Sequence, residues 1–332
     1  MAFSSGGGSN AIMGASAGGV GGVPQGNDLE VIQTEVGDSL PVVFKLPPTT
    51  QFTNVQDLFD MINCTTGDFL AIKGIAPPSY YSIGSLLIIE LDVSPSSFTE
   101  IEREREKQRR RFRFRRYDSD RQVLFITIPT DLHEQLHVGL YQRYLFQLVR
   151  SGREKTWRTI ASATRRAQQG YSRRDSGEGD STGGPKPDRE MKDAWPTLVI
   201  EAGVSESLAE LRHDMRWWFS ISDHQVQIVL LAKFKRARRA IILEKWEEES
   251  SSITRPGAMT TRQAGALQPV LRQTITITQD ATTYPISYNV TRGALVLGFK
   301  LLFLRDPGPG EGDFVLGVQE LEDYARNVWA VL

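Results

Sequence analysis

The hydrophobic pattern is most regular from residue 120 onward. "QVLFITIPT" is a nearly unbroken apolar run, as in a buried strand. "DLHEQLHVGLYQRYLFQLV" follows and sets Leu132, Leu136, Leu140, Tyr144 and Leu148 on one stripe at helical spacing. The polar, Gly-rich stretch "YSRRDSGEGDSTGGPKPDREMKD" reads as a loop. The apolar run Leu198 to Ile200 in "WPTLVIEAGVSES" predicts a further buried strand, ending on the carboxylate of Glu201. "SESLAELRHDMRWWF" predicts a helix: Ser207 and Glu210 form a capping-box signature, and Leu208, Leu211, Met215 and Trp218 make the apolar side. "QVQIVLLAKF" and "RRAIILEKWE" are expected strands. The succession strand, helix, loop, strand, helix, strand points to an α/β core.

The flanking segments differ. Residues 1–27 are rich in Gly, Ser and Ala and lack the apolar content to order themselves. From 28 to 100 a small appended α/β segment is expected, with "NVQDLFDMI" helical and "SLLIIELDV" a strand. Residues 247–268 read as a polar insertion. "RQTITITQD" alternates as a strand does, and "GVQELEDYARNVW" predicts a last helix. The 332 residues, 40% apolar and 24% charged, suit a globular chain, and the net charge of −1 makes the whole neither polyanion-binding nor strongly acidic. The single cysteine, Cys64, cannot form an intramolecular disulfide, which points to a reducing compartment. No apolar run approaches the roughly 20 residues that span a bilayer. An intracellular chain, nuclear or cytoplasmic, is expected, and the sequons at Asn63 and Asn289 are read as chance matches.

A charge at the end of a buried strand is costly unless something pairs with it. Glu201 therefore calls for a cation, a metal or a ligand. Asp180 in "GEGDS" is the candidate second acid, with Asp188 in "KPDRE" as its alternative. Two carboxylates and a nearby cationic side chain make a donor set for Mg²⁺ or Mn²⁺, which prefer oxygen ligands. The bland alternative is a strand-end acid paired with Arg212 or Arg216. The series "HEQLHVGLYQRYL", "GEGDS", "WPTLVIEAGVSESLAELRHDMRWWF", "VQIVLLAKF", "ILEKWE" resembles the PD-(D/E)XK (restriction-endonuclease-like) nuclease superfamily, nearest to a fungal branch of it. The resemblance spans about residues 120–246, within a domain taken as 101–332. It implies a central mixed sheet flanked by helices, with a C-terminal β extension, and hydrolysis of nucleic-acid phosphodiester bonds. It also implies Asp180 and Glu201 as metal ligands, with Glu134 supporting them from the first helix. The superfamily lysine belongs two residues after the second acid, where this chain has Gly203. Arg216 and Lys233 are the candidates to replace it, and an arginine there could orient water but not act as a base. A degenerate nuclease fold serving as a nucleic-acid or protein binding module is the alternative.

Two further motifs compete for attention. "HEQLH" matches H-E-x-x-H, which on a helix sets His133 and His137 on one face with Glu134 beside them, as in zinc hydrolases. No "GxxH" continues the helix to supply a third ligand, and Glu154 is a candidate for it. The run Glu102 to Arg116 holds nine basic and three acidic residues. Arg109, Arg110, Arg111, Arg113, Arg115 and Arg116 interleave with Phe112 and Phe114, a pattern suited to a phosphate backbone. The bland reading is a charged helix or linker leading into an edge strand, with the two phenylalanines in the core. Trp217 and Trp218 are read as packing, and Ser205 and Ser207 as helix caps.

Overall fold

The computed structural model describes residues 50–66, 87–108, 112–160, 163–167, 174–250 and 267–332. The Gly-rich tail and Arg109–Arg111 lie outside the described residues. All described residues fall in one compact unit, Lys45–Leu332.

Two sheets and their helices make up this unit. The first sheet collects β1 (Thr50–Gln51), β2 (Leu87–Asp92), β3 (Arg113–Asp118), β4 (Val123–Ile128), β6 (Arg165–Arg166) and β7 (Ser176–Gly177) in the order β1-β2-β4-β3-β7-β6. Helices α1 (Val55–Thr66) and α2 (Pro95–Gln108) cover it through Leu58, Phe59, Ile62, Phe98 and Ile101, packed on Phe112, Phe114, Tyr117, Leu124 and Ile126. Phe112 and Phe114 are thus core residues, and β3 is an interior strand rather than an edge. Strand β2 pairs antiparallel with β4, so residues from before position 100 share a sheet with those after it. Tyr117 joins the two stretches: its ring stacks on Phe98 at 4.1 Å, and its buried hydroxyl donates to Val93 O at 3.1 Å. Burial, with Asp175 and Asp118 nearby, pushes the phenol up to about 12. Tyr117→Phe is expected to lose about 1 kcal/mol. It should also flatten the loss of stability that the wild type shows above pH ~10, where the unfolded tyrosine ionises first; urea titrations at pH 8 and 11 measure both.

The second sheet runs β13-β12-β11-β10-β9-β8-β5 and is mixed: β9 and β10 are parallel, the others antiparallel. Its strands are β5 (Trp157–Thr159), β8 (Ser181–Pro185), β9 (Leu198–Gly203), β10 (Ile228–Lys235), β11 (Ala240–Ser250), β12 (Leu267–Asp280) and β13 (Ser287–Thr291). Side chains alternate across it. Leu198, Ile200, Leu230 and Ala232 face α3 (Asp131–Arg150), whose stripe Leu132, Leu136, Leu140, Tyr144 and Leu148 is buried as the spacing predicts. Val199, Val229 and Leu231 face α4 (Leu208–Ile221), with Leu211, Met215, Trp218 and Phe219. Ser207 and Glu210 close the expected capping box on α4. On the α3 side the chain ends with β14 (Leu295–Leu297), the short helix α5 (Phe299–Phe303), β15 (Phe314–Leu316) and α6 (Val318–Trp329), which adds Leu321, Tyr324 and Val328 to that core. The architecture is a mixed α/β fold with a large sheet flanked by helices.

One expected loop is a strand. The stretch around "GEGDSTGGP" contains β7 and β8, both fully buried. A Cβ on Gly183 would come within 2.4 Å of the Tyr141 hydroxyl and 2.5 Å of Trp157 Nε1. Strand β8 is poor in apolar side chains because large aromatics from neighbouring elements fill the space over it.

Candidate functional site

The pairing of β8 with β9 organises the site. Ser181 lies opposite Ile200, so Asp180, one step earlier, arrives beside Glu201. Asp180 Oδ2 accepts the Ala202 N–H at 2.8 Å. Glu201 points to the α4 side, where the Trp218 indole donates to its Oε1 at 2.5 Å. Burial, then Asp180 and Asp214, pushes the Glu201 carboxyl well above the usual range. Asp180 goes the other way: burial alone would raise it, but His133, His137 and Arg113 together hold it far below. Two adjacent acids are thereby shifted in opposite directions, Glu201 upward and Asp180 downward.

Gly203 has no room for a side chain, since a Cβ would meet Leu211 Cδ1 at 2.8 Å. The residue beside it in the parallel β9–β10 register is Lys233. Lys233 shares its face with Glu201 and is buried, and its Nζ donates to Val204 O at 2.7 Å. Burial lowers its pKa, against the opposing pull of Glu206.

Strand β3 supplies the cations around these acids. A register shift between Phe114 and Arg116 sets Arg115 apart from the β4 pairing. Arg113 forks between Asp180 Oδ1 at 2.8 Å and Glu134 Oε1 at 2.7 Å. Arg115 binds Glu206 Oε1 at 3.0 Å and Asp214 Oδ2, with Nε at 2.8 Å from the latter. Arg116 reaches Asp214 Oδ1 at 3.3 Å. The three side chains are only 12–14% exposed. Of the six arginines expected at phosphate, these three turn inward onto carboxylates. Arg216 is exposed on α4 and makes no hydrogen bond or ion pair among the described residues.

The first turns of α3 complete the cluster. Thr130 caps the helix, and His133 and His137 are both buried at its N-terminal end. His133 Nε2 is 3.1 Å from Asp180 Oδ2. Burial would lower the His133 pKa, but Asp180 outweighs it and the net shift is upward. His137 Nδ1 meets Ser181 Oγ at 2.8 Å, and burial pulls its pKa down. Glu134 is half-buried, its pKa lowered by His137 and Arg113 against the desolvation that would raise it.

Several expected positions fall elsewhere. Asp188 is exposed beyond the far end of β8 from Asp180. Glu154 follows the C-terminal end of α3, roughly 20 Å along the helix from His137 at 1.5 Å per residue. Arg212 pairs with Glu244 at 2.5 Å, not with Glu201. Sequence reasoning passed over Glu206 and Asp214, both buried and both bound to Arg115. The available signal was charge balance, since a run of arginines on an interior strand requires buried acids.

No protein-family model matches the chain, and no curated protein matches it. A solved structure from Anabaena variabilis, a provisionally assigned nuclease belonging to DUF820, aligns with 60% of this chain and 84% of its own at 10% identity and a TM-score of 0.33. Among the described residues, no helix is long and apolar enough to cross a membrane.

Proposed function

We propose that the chain is a nuclease-like protein of the PD-(D/E)XK type, hydrolysing nucleic-acid phosphodiester bonds with a hard divalent cation. The observation that carries the reading is Lys233. It lies beside Gly203, on the same sheet face as Glu201, which supplies from a neighbouring strand the cationic side chain that the acid-x-lysine pattern requires. The donor set fits Mg²⁺ or Mn²⁺. Asp180 and Glu201 are adjacent oxygen donors, and the raised pKa of Glu201 reflects burial first and then the negative charge of Asp180 and Asp214, which a dication would relieve. Asp180 and Glu201 would hold the ion, which supplies charge neutralisation at a phosphoryl oxygen. Lys233, with its pKa lowered by burial, would orient the attacking water, and Glu134 would brace Asp180 through Arg113. The exposed Arg216 would meet the phosphate backbone, and Arg109–Arg111 keep that role on their sequence alone.

A second reading, a nuclease-like fold retained for binding, draws on the Arg113 and Arg115 forks, which neutralise the acidic cluster without a metal. The separating experiment incubates the full chain with single- and double-stranded DNA and RNA in Mg²⁺ or Mn²⁺. Cleavage that falls by about 10²–10³-fold or more in Glu201→Gln and Lys233→Met supports hydrolysis. Equal inertness of wild type and variants sinks it, and retained, salt-sensitive binding in that case selects the module.

A further inference from the structure

Beside the Asp180–Glu201 pair, the start of α3 gathers a second set of donors that the nuclease reading does not use as ligands. One ligand atom each from His133, Glu134 and His137 lies within 4.8 Å of the others. His133 Nδ1 is 4.0 Å and His137 Nε2 is 3.4 Å from Glu134 Oε1. The other ring nitrogens are already engaged: His133 Nε2 with Asp180 Oδ2 at 3.1 Å, and His137 Nδ1 with Ser181 Oγ at 2.8 Å. A metal-binding histidine characteristically turns its remote N–H to a carboxylate or hydroxyl, which fixes the tautomer and leaves the near nitrogen as the donor. His133 Nδ1 is buried and has no hydrogen-bond partner, while its residue is 1% exposed. An orphaned buried nitrogen facing a carboxylate needs an explanation.

We propose that His133 Nδ1, Glu134 and His137 Nε2 form a site for a borderline transition-metal dication such as Zn²⁺ or Co²⁺, with Arg113 as the side chain that the metal displaces. Two imidazoles and one carboxylate are a donor set that such ions take, with a further position left open. Glu134 is 37% exposed and gives that position access to solvent. Arg113 occupies the same space: Nη2 is 2.7 Å from Glu134 Oε1 and Nη1 is 3.4 Å from His137 Nε2. A guanidinium and a dication cannot share those acceptors. Arg113 retains its second carboxylate, Asp180, when it yields Glu134, so the exchange does not strand it. The hard-cation site at Asp180 and Glu201 is a separate one, selected by oxygen donors alone.

The test titrates the purified full chain with Co²⁺, following its visible absorption, and then displaces it with Zn²⁺. With Mg²⁺ in excess to hold the oxygen-only site at Asp180 and Glu201, one saturable equivalent of Co²⁺ with a nitrogen- and oxygen-bound spectrum is expected, lost in His137→Ala. Arg113→Met should bind at least tenfold more tightly, because the competing cation is gone. Glu201→Gln should bind Co²⁺ unchanged, so this result stands or falls apart from the nuclease assay. Binding that survives His137→Ala overturns the proposal, as does the absence of saturable binding in both wild type and Arg113→Met with intact circular dichroism. Should a variant fail to fold, X-ray absorption of the Co²⁺-loaded wild type decides: imidazole scattering supports the site, and an oxygen-only shell overturns it.

Discussion

Replacing Arg115 by methionine is expected to lower the unfolding free energy by about 3–5 kcal/mol, the cost of removing one partner from a buried ion pair. The reason is the number of charges that depend on it. Burial alone would lower the Arg115 pKa, but Asp214 and Glu206 more than offset that and the net shift is upward. Without the guanidinium, Glu206 would keep a carboxylate in a site where burial already raises its pKa, and where one oxygen already lacks a partner. Among the described residues, Asp214 would keep Arg116, at 3.3 Å. A melting temperature lower by roughly 10 °C is the corresponding readout for a chain of this size. The double variant Arg115→Met with Asp214→Asn should recover part of the loss, since it removes a stranded charge as well as its partner. A loss below about 1 kcal/mol, the range of surface ion pairs, would mean that the cluster is hydrated and that the burial argument fails.

That cluster also explains where the sequence could and could not be read. The α3 stripe, the apolar runs of β9 and β10 and the Ser207–Glu210 cap were legible because burial of one face imposes a period, and caps have local chemistry. Strand β8 was not, because its contribution to packing is the absence of side chains at Gly183 and Gly184. Hydropathy scores what a residue brings, not the Tyr141 and Trp157 that need the space it leaves. The arginines of β3 suggested a surface for the same reason: charge reads as exposed until its partners are known. Three of those partners, Asp180, Glu206 and Asp214, are 67–99 positions further on. Glu201 was visible as a charge at a strand end, while Asp180 sat in a stretch that reads as a loop. The nearness of Lys233 to Gly203 was not visible, because it is fixed by parallel register, and spacing along the chain does not encode register between strands.

Glu201→Gln should raise stability by an amount that grows with pH, while removing the hydrolytic activity proposed above. A carboxyl whose pKa is higher folded than unfolded holds its proton in the native state after the unfolded chain has released it. The unfolded state then binds fewer protons, and stability falls as pH rises. For Glu201 the decline begins near the ordinary glutamate value of about 4.3 and continues until the native carboxyl ionises, at up to ~1.4 kcal/mol per pH unit. Glutamine carries no such proton and takes no part in the decline. Glu206, raised by burial, contributes its own slope to both proteins, and Asp180, held low, loses its contribution only as pH falls below about 4 in both. Urea unfolding at pH 5 and pH 8 should therefore show a larger gap between the two proteins at the higher pH than at the lower. Parallel pH profiles would mean that Glu201 ionises normally and that Trp218 and the surrounding acids do not govern it. Mg²⁺ supplies the decisive comparison. An ion bound by Asp180 and Glu201 stabilises only the state that binds it, so millimolar Mg²⁺ should restore the wild type at pH 8 and leave the variant where it was. The size of that restoration measures how far the proposed site favours the ion over the empty fold.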